Sequence, residues 1–188
     1  MPLKPMIARD FKLETQRLVL RLPEPGDFEG YVELMGDPQA AQHIGGVLTR
    51  TAAWRKFLQM PGAWWMQGYA MFSVVEKSSG RWMGQVGPWQ PEGWPGTEVG
   101  WALKRDAWGR GYAREAAIAS VDWAFENLGW TEVIHSINPD NGPSQELAKR
   151  LGSRILRQAN LPPPYETVVV DVWGQSREEW FARRKEFA

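Results

Sequence analysis

The sequence predicts one domain of the α/β (α+β) class, and three observations support this. Its 188 residues are 43% apolar, which suits a single domain with a sizeable core. Strand-type and helix-type patterns alternate along the chain, as they do in folds that combine a sheet with helices. Near the centre, a strand pattern over 97–103 leads into a glycine-rich loop and a helix pattern over 114–128. No internal repeat or linker divides the chain, so we expect one domain over 1–188.

The N-terminal half predicts a strand, two helices and a hairpin. We expect residues 1–12 to form a loose arm, after which Leu13–Leu22 alternates as a strand does. Asp27 is a candidate N-cap for the first helix, which Gly36-Asp37-Pro38 ends. Further features follow in chain order: an irregular stretch over 39–48, a helix over about 51–66 capped by Thr49 or Thr51 and kinked or ended at Pro61-Gly62, strands over 69–76 and 81–89, and a loop over 90–96.

The C-terminal half alternates strands with helices and ends in a helix. Its features are, in order: a strand over 97–103, a helix over 114–128 closed by Gly129, a strand over 132–137, a helix from Pro143 to about Leu151 followed by Gly152, strands over 154–158 and 167–173, and a terminal helix over about 176–187 opened by a capping box of Ser176 and Glu179. The predicted order is therefore βαα–ββ–βαβα–ββ–α.

The loop between the central strand and the following helix has the chemistry of an anion cradle. Gly109 and Gly111 let a ligand approach the backbone, and the first helical turn offers free N–H groups at the positive end of the helix dipole. Arg110 and Arg114 add mobile positive charge at the rim, so the expected ligand is a phosphate or pyrophosphate. A Walker A loop is excluded because no Gly-Lys precedes Ser or Thr, and Arg114 occupies the last glycine position of a dinucleotide fingerprint. A tight turn that binds nothing is the alternative.

The segment Gly109-Arg110-Gly111-Tyr112-Ala113 resembles the acetyl-CoA pyrophosphate loop of the GCN5-related N-acetyltransferase (GNAT) superfamily, whose pattern is Q/R-x-x-G-x-G/A. Gly111 and Ala113 match its last two named positions, whereas Trp108 stands at the Q/R position. W-G-[KR]-G-Y-A, together with E-T-x-R-L-x-L-R near the N-terminus, is similar to the ribosomal-protein N-acetyltransferase (RimJ/RimL-like) branch. The resemblance covers about residues 13–173, and the terminal helix is an addition.

This resemblance implies a mixed, mostly antiparallel sheet of about six to seven strands with helices on both faces. Its central strands, which end near Leu103 and Ile137, would be parallel and splay apart, and the pantetheine arm of acetyl-CoA would insert between them. The backbones of Trp101, Ala102 and Leu103 would bond this arm, so that side-chain identity there would matter little. The pyrophosphate would lie on the loop residues Trp108, Gly109, Arg110, Gly111, Tyr112, Ala113 and Arg114.

A second site follows from the segment I-N-P-D-N-G-P-S-Q-E-L-A-K-R-L-G (137–152), which matches the same branch and implies that Asn141 bonds the pantetheine arm. Many GNAT enzymes protonate the leaving thiolate with a tyrosine four residues before the closing glycine, but here that position is Ala148. Residues four apart share a helix face, so Ser144 is the hydroxyl that can face the sulfur. A helix cap for Ser144 and a turn role for Asn141 are the structural alternatives.

Glu98 on the central strand is the candidate base. An acceptor amine with a pKa near that of lysine, about 10.4, is mostly protonated at neutral pH, and a carboxylate can take that proton. The resemblance implies a glutamate on this strand that acts through water. An exposed strand residue or an ion-pair partner is the alternative for Glu98, and weaker candidates for the base are Glu76, Glu92 and Asp106.

The composition restricts the class of function. The 22 basic and 22 acidic residues cancel, so nothing favours nucleic acid or an anionic membrane as partner. No segment approaches the roughly 18 apolar residues that span a bilayer and no signal peptide is evident, so we expect a cytoplasmic protein. The chain has no cysteine, and its two histidines lie far apart, which argues against a metal site. Twelve tryptophans fit a tryptophan-rich core, with an aromatic acceptor pocket or a homodimer interface as alternatives.

The expected activity is acetyl-CoA-dependent acetylation of a primary amine by direct attack, without an acyl-enzyme. Acetyl-CoA and an amine acceptor are the expected partners, and no metal is expected. The branch resemblance favours a protein N-terminus as acceptor, although the neutral net charge argues mildly against dedicated docking on a ribosome. A small-molecule amine and a non-catalytic coenzyme A-binding module are the alternatives.

Overall fold

A computed structural model of the protein describes residues 10–187, so most of the arm expected over 1–12 lies outside the described residues. The strands are β1 (Lys12–Glu14), β2 (Leu18–Arg21), β3 (Phe72–Glu76), β4 (Trp82–Trp89), β5 (Glu98–Leu103), β6 (Glu132–Ile137), β7 (Arg154–Asn160) and β8 (Val169–Ser176). The α-helices are α1 (Phe28–Gly36), α2 (Pro38–Ala41), α3 (Arg50–Phe57), α4 (Gln59–Gln67), α5 (Tyr112–Asn127), α6 (Gly142–Arg150) and α7 (Arg177–Arg183).

The eight strands form one mixed sheet in the order β1-β2-β3-β4-β5-β6-β8-β7, and β5 and β6 are its one parallel pair. The mostly antiparallel sheet is therefore confirmed, with one strand more than the six to seven expected. The additional strand arises because Leu13–Leu22 is not continuous. The Thr15 N–H bonds the Leu18 carbonyl at 3.0 Å, and this turn folds β1 back onto β2. Within residues 10–187, no helix is long and apolar enough to cross a membrane.

The parallel strands β5 and β6 diverge almost as soon as they meet. Glu98 and Ile134 form their single paired position, next to a bond of 2.9 Å from the Ile134 N–H to the Thr97 carbonyl. Beyond this point β5 continues to pair with β4, and β6 with β8. The expected splay is confirmed, and it leaves an open wedge between the C-terminal ends of β5 and β6.

Helices cover both faces of the sheet, as expected. Helices α1, α2 and α3 pack in one apolar cluster with Ala102, whereas α5 packs in another with Leu103. Because consecutive strand residues point to opposite faces, these two neighbours mark the two sides of the sheet. Helix α4 belongs to the α5 side, where the rings of Trp64 and Trp123 pack with centroids 5.9 Å apart.

The helix expected over 51–66 is instead two helices, α3 and α4, which meet at Leu58. Thr49 caps α3, because its hydroxyl accepts a hydrogen bond from the Ala52 N–H at 3.3 Å. The break lies upstream of Pro61 rather than at it. Proline has no N–H to donate and is tolerated in the first turn of a helix, and the break places Pro61 in the first turn of α4.

Asp27 does not cap α1 in the way that was expected. Its carboxylate instead accepts two bonds from the Arg21 guanidinium, at 2.8 and 2.7 Å, and one from the Ser73 hydroxyl at 2.7 Å. The chain enters α1 through a 3-10 turn whose N-cap is Glu24, which moves the cap upstream. The stretch over 39–48 is also not wholly irregular, since it begins inside α2.

The tryptophans are divided between the core and the surface. Trp64 and Trp82 are buried, whereas Trp89 and Trp94 are half-buried. Trp65 is 64% exposed, although a continuous helix over 51–66 would have placed it on the apolar stripe. A tryptophan-rich core is therefore confirmed for some of these residues only.

Candidate active site

The glycine loop presents backbone N–H groups at the start of α5. Gly109 and Gly111 have φ angles of +70° and +78°, in the left-handed region that favours glycine. The first hydrogen bond of α5 runs from the Glu115 N–H to the Gly111 carbonyl at 3.1 Å. The amides of residues 112–114 precede that bond and have no acceptor within the helix, so with the helix dipole they suit an anion. The Arg114 guanidinium lies over the Phe187 ring, 5.6 Å from its centroid.

Arg17, in the turn between β1 and β2, holds the loop in this shape. Its guanidinium donates to the Arg110 carbonyl at 2.9 Å and to the Glu115 carboxylate at 2.7 Å. The Thr15 hydroxyl bonds the same carboxylate at 2.6 Å. The loop is thus tied to the edge of the sheet before any ligand binds, which reduces the ordering that binding requires.

Glu76 fixes the position of the glycine loop, and its surroundings do not suit a general base. Its carboxylate accepts bonds from the Tyr112 hydroxyl, from the Ser79 hydroxyl at 2.6 Å and from the Arg110 guanidinium at 3.0 Å. The hydrogen bonds from Ser79 and Tyr112 hold the pKa of Glu76 below its ordinary value. Arg110 is consequently tied down by this ion pair, whereas a mobile charge at the rim was expected.

Trp108 stands where the family pattern has Gln or Arg. Both of its N–H groups donate hydrogen bonds within the protein. Its backbone amide donates to the Arg105 carbonyl at 3.1 Å, and its indole donates to the Leu103 carbonyl at 2.9 Å. The amide of Trp108 is therefore already bonded within the protein, which argues against the part in pyrophosphate binding that was expected of it.

The edge of β5 that faces the wedge belongs to Trp101 and Leu103. The Lys104 N–H bonds the Met83 carbonyl of β4 at 2.9 Å, and the backbone groups of a strand alternate between its two edges. The backbone of Ala102 therefore pairs with β4, whereas those of Trp101 and Leu103 point into the wedge. This geometry supports Trp101 and the N–H of Leu103, and not Ala102, as backbone partners of an extended ligand, since the Leu103 carbonyl already accepts from the Trp108 indole.

Glu98 lies at the apex of the wedge, where β5 and β6 part. It is only 7% exposed, and its carboxylate accepts a hydrogen bond from the indole N–H of Trp94. Ser136 on β6 directs its backbone N–H at the same carboxylate, while its hydroxyl lies beside it outside hydrogen-bonding geometry. Burial raises the pKa of Glu98 to about 7, and the bonds from Trp94 and Ser136 oppose this only in part. Glu98 is thus not exposed, and it forms no ion pair with any residue from 10 to 187.

The remaining carboxylate candidates lie in other settings. Glu92 is exposed on the loop between β4 and β5. Asp106 forms an ion pair with Arg81, and the hydrogen bond from that guanidinium lowers the pKa of Asp106. Neither carboxylate has the buried position that brings the pKa of Glu98 toward neutrality.

The start of α6 faces the wedge from the side of β6. Asn141 is the N-cap, and its Oδ1 accepts a hydrogen bond from the Ser144 N–H at 3.3 Å. The Ser144 hydroxyl does not cap the helix, because it accepts a hydrogen bond from the Trp101 indole at 3.1 Å. Ala148, one turn further, is fully buried beside Ile137. The structure therefore supports a capping role for Asn141 and does not support one for Ser144.

Three groups at the apex were not predicted from the sequence. Trp94 was one of several tryptophans without a periodic pattern, and only the folded loop brings it to Glu98. The alternation in β6 indicates a strand but does not indicate that Ser136 turns its amide to a carboxylate. His135 donates from its Nδ1 to the Val99 carbonyl at 2.7 Å, where a backbone partner from β6 would otherwise bond. No pattern in the neighbouring sequence indicates that the His135 side chain takes the place of a backbone hydrogen-bond partner.

The loop and the wedge together fit a ligand with an anionic middle and an extended amide arm. The loop amides would hold the pyrophosphate of acetyl-CoA, and the edge of β5 would bond its pantetheine arm as an additional strand does. The loop follows the end of β5 directly, so both parts of the site are set by the same strand.

Comparisons with known proteins agree with this geometry. Residues 17–154 match the family model described as an acetyltransferase (GNAT) domain. A protein of Bacillus licheniformis named as the uncharacterized N-acetyltransferase p20 is 29% identical over 167 residues, which cover 86% of this chain and 92% of that protein. A solved acetyltransferase from Agrobacterium tumefaciens str. C58 is 29% identical with a TM-score of 0.76, covering 92% of this chain and 98% of that one.

A putative ribosomal-protein-serine acetyltransferase from Vibrio cholerae has the same fold, with a TM-score of 0.77 at 24% identity, and the match covers 90% of this chain and 99% of that one. The family model alone spans well over half of the chain. The chain therefore belongs to the GNAT family, and it is an N-acetyltransferase.

Proposed function

We propose that the protein moves the acetyl group of acetyl-CoA to a primary amine by direct attack in a ternary complex. The observation that carries this proposal is the position of Glu98, a buried carboxylate at the apex of the wedge whose pKa is raised to about 7. A carboxylate with such a pKa is half ionised at neutral pH and can accept a proton there. The chain has no cysteine, so a thiol acyl-enzyme is excluded.

The co-substrate would be held by three groups of residues. Backbone amides of 109–114 would bind the pyrophosphate, the backbones of Trp101 and Leu103 would bond the pantetheine arm, and Asn141 would add a side-chain hydrogen bond from its Nδ2. Asn141 can serve both as cap and as ligand, because the cap uses its Oδ1 and leaves its amide N–H groups. Acetyl-CoA supplies an activated carbonyl carbon in its thioester.

The reaction needs one base and a stabilised leaving group. Glu98 takes one proton from the acceptor ammonium, directly or through a water molecule, and the free amine then forms a C–N bond to the thioester carbonyl. The C–S bond breaks, and its electron pair leaves on sulfur. The nitrogen loses a second proton as the amide forms, and the thiolate, with a pKa of about 8.5, gains one. The proton held by Glu98 returns to solvent, and one proton is released overall.

Ser144 would stabilise the departing sulfur with its hydroxyl. A hydroxyl is a weak acid, so its part is a hydrogen bond to the thiolate, with water as the proton source. Holding the amine against the thioester contributes further through a large effective molarity. The structure adds that Ser144 is not needed as a helix cap, since Asn141 performs that task.

For the acceptor, we propose a protein N-terminal amine. The RimJ/RimL-like motifs at 14–21, 108–113 and 137–152 favour this class. The Vibrio cholerae structure of the same fold is named a putative ribosomal-protein-serine acetyltransferase, which is consistent with it. A small-molecule amine is the second candidate within the same chemistry.

A thiol-release assay with a panel of acceptors tests the proposal. Free coenzyme A would be measured with acetyl-CoA and, in separate reactions, N-terminal peptides, polyamines, aminoglycosides and single amino acids. We expect release with peptides and initial-rate plots that intersect, as a ternary complex requires. Parallel plots would contradict direct attack. Thermal stabilisation by acetyl-CoA without release against any acceptor would instead indicate a non-catalytic binding module.

A further inference from the structure

The side chain of Trp101 joins the two sides of the wedge. Trp101 lies on β5, yet its indole packs in the cluster of Ile137, Ala148 and Trp173, which belong to β6, α6 and β8. Its indole also packs against the His135 ring, with centroids 4.8 Å apart and the ring planes tilted by 46°. The identity of this side chain therefore matters, contrary to the expectation that only its backbone does.

The hydrogen bond between Trp101 and Ser144 has one possible direction. An indole N–H can only donate, so the Ser144 Oγ, 3.1 Å away, must accept. Within residues 10–187 the structure shows no acceptor for the hydrogen of the Ser144 hydroxyl itself. Because one lone pair of Oγ is engaged by the indole, this hydrogen points away from Trp101, and a departing sulfur is a suitable acceptor.

The His135 ring, against which the Trp101 indole packs, is held by hydrogen bonds on both of its nitrogens and is uncharged. Since the Val99 carbonyl can only accept, His135 Nδ1 carries the proton of that 2.7 Å bond. In the neutral ring, Nε2 accepts from the Ser153 hydroxyl at 3.1 Å, and Ser153 Oγ accepts from the Gln175 amide at 3.0 Å. Burial lowers the pKa of His135 to about 4, so the ring stays uncharged near neutral pH.

We propose that Trp101 is a positioning residue for acetyl transfer, whose indole N–H orients the Ser144 hydroxyl toward the leaving sulfur. This inference rests on the proposed function. When the C–S bond breaks, its electron pair goes to sulfur, which accepts the hydrogen bond from Ser144 Oγ–H. Of the two protons that the acceptor ammonium loses, one goes to Glu98 and the other to water, and water supplies the proton that sulfur finally gains. Trp101 itself exchanges no proton.

A double-mutant cycle tests the inference. Trp101→Phe keeps an aromatic ring in contact with His135 and removes the N–H, and Ser144→Ala removes its acceptor. We expect Trp101→Phe to lower kcat about tenfold with acetyl-CoA affinity unchanged within about twofold, because the hydrogen bond acts after the co-substrate is bound. The double variant should be no slower than Ser144→Ala alone.

Trp173→Phe is the matched control. Trp173 is buried in the same cluster, and its indole N–H has no hydrogen-bond partner among the described residues. This substitution removes the same atoms without removing a hydrogen bond, so kcat should equal that of the parent. If Trp101→Phe does not fold, a benzothiophene analogue of tryptophan incorporated at position 101 keeps the shape of the indole and removes only its N–H.

Each outcome decides the inference. Unchanged kcat in Trp101→Phe or in the analogue overturns it, as does a rate loss that multiplies with that of Ser144→Ala. A loss of acetyl-CoA affinity with unchanged kcat also overturns it, because Trp101 would then only pack against the co-substrate. If the parent releases no thiol with any amine, the proposed function fails. If the parent is active and Ser144→Ala is equally fast, only the positioning role fails.

Discussion

Gly100 gives Glu98 the room that its buried position requires. A β-carbon at Gly100 would lie 3.2 Å from the Glu98 Oε1 and 2.6 Å from the Met71 Cε, so the Glu98 side chain extends along β5 over the bare Cα of Gly100. A glycine two residues along the strand therefore determines where the carboxylate lies. In this way the sequence E-V-G at 98–100 encodes the apex of the wedge.

This relationship predicts the effect of Gly100→Ala. The Met71 side chain is flexible and can move, but the Glu98 carboxylate would be displaced from the position in which it accepts from Trp94. We expect turnover to fall about tenfold, the loss that a barrier increase of about 1.4 kcal/mol produces. Gly36→Ala, at a helix end with open space around it, should leave turnover unchanged and serves as the control. Equal turnover in both variants would show that Glu98 needs no such room.

Glu98→Gln should change how stability depends on pH. The folded-state pKa of Glu98 is about 7 against an ordinary value of 4.5, so the folded protein keeps a proton that the unfolded chain loses. Glu98 therefore lowers stability progressively as pH rises from 4.5 to 7. The glutamine variant lacks this pH-dependent loss. Its free energy of unfolding relative to that of the parent should therefore rise over that interval, by about 3 kcal/mol at most.

Unfolding of both proteins in urea at pH 4.5 and pH 8 measures this difference. His135, whose pKa is lowered to about 4, gives stability that is lost as pH falls from 6.5, but it is present in both proteins and cancels. A difference between the two proteins that is the same at both pH values would show that Glu98 has an ordinary pKa.

The same substitution should change the pH–rate profile. Below pH 7 Glu98 is mostly protonated and cannot accept a proton, so the rate of the parent should fall on the acid side with an apparent pKa near 7. In Glu98→Gln this limb should be lost, with the largest loss of kcat/KM between pH 7 and the pKa of the acceptor amine. Profiles of the same shape for both proteins would exclude Glu98 as the base.

Gly111→Asp should abolish acetyl-CoA binding. Gly111 has a φ angle of +78°, so any side chain strains the loop, and a carboxylate would add repulsion toward the pyrophosphate. Gly111→Asn is the matched control, since asparagine has nearly the same shape, carries no charge and tolerates this backbone conformation better than most residues. Calorimetry should show clearly weaker binding for the aspartate variant. Equal affinities in the two variants would place the pyrophosphate elsewhere.

Asn141 should contribute to both stability and binding, and two substitutions separate these roles. Asn141→Ala removes the cap of α6 and should cost about 1 kcal/mol of stability. Asn141→Ser can still cap the helix, so it should keep most of that stability while losing the amide that would bond the pantetheine arm. Both variants should bind acetyl-CoA more weakly by calorimetry. Parent-like affinity in Asn141→Ser would leave Asn141 with the cap role alone.

Local chemistry made much of the fold predictable from the sequence. Gly129 and Gly152 follow α5 and α6 with φ angles of +67° and +88°, as their positions after helical patterns predicted. Ser176 and Glu179 form the predicted capping box. Strand β6 has the predicted bounds, because its alternation is regular and a turn sequence follows it. Each of these features depends on contacts between residues close in the chain.

The features that the sequence did not predict depend on contacts that the local pattern of residues does not encode. The break after Glu14 depends on a turn and on pairing between β1 and β2, and the alternation of Leu13–Leu22 does not report it. Asp27 was expected as a cap because its type and position suit one. It is instead bound by Ser73, which lies 46 residues further along the chain. Residue type alone does not distinguish these two uses of a carboxylate.

The family, the glycine loop and the choice of Glu98 and Ser144 as candidates could all be inferred from the sequence alone, because spacing within one strand, loop or helix is a local property. The tertiary structure was needed to show that Glu98 is buried with a pKa raised to about 7, because that pKa depends on its burial at the apex of the wedge. It alone placed the indole of Trp101 on Ser144, 43 residues away. Electrostatic and hydrogen-bonding environments are made by residues distant in the chain, so no local pattern contains them.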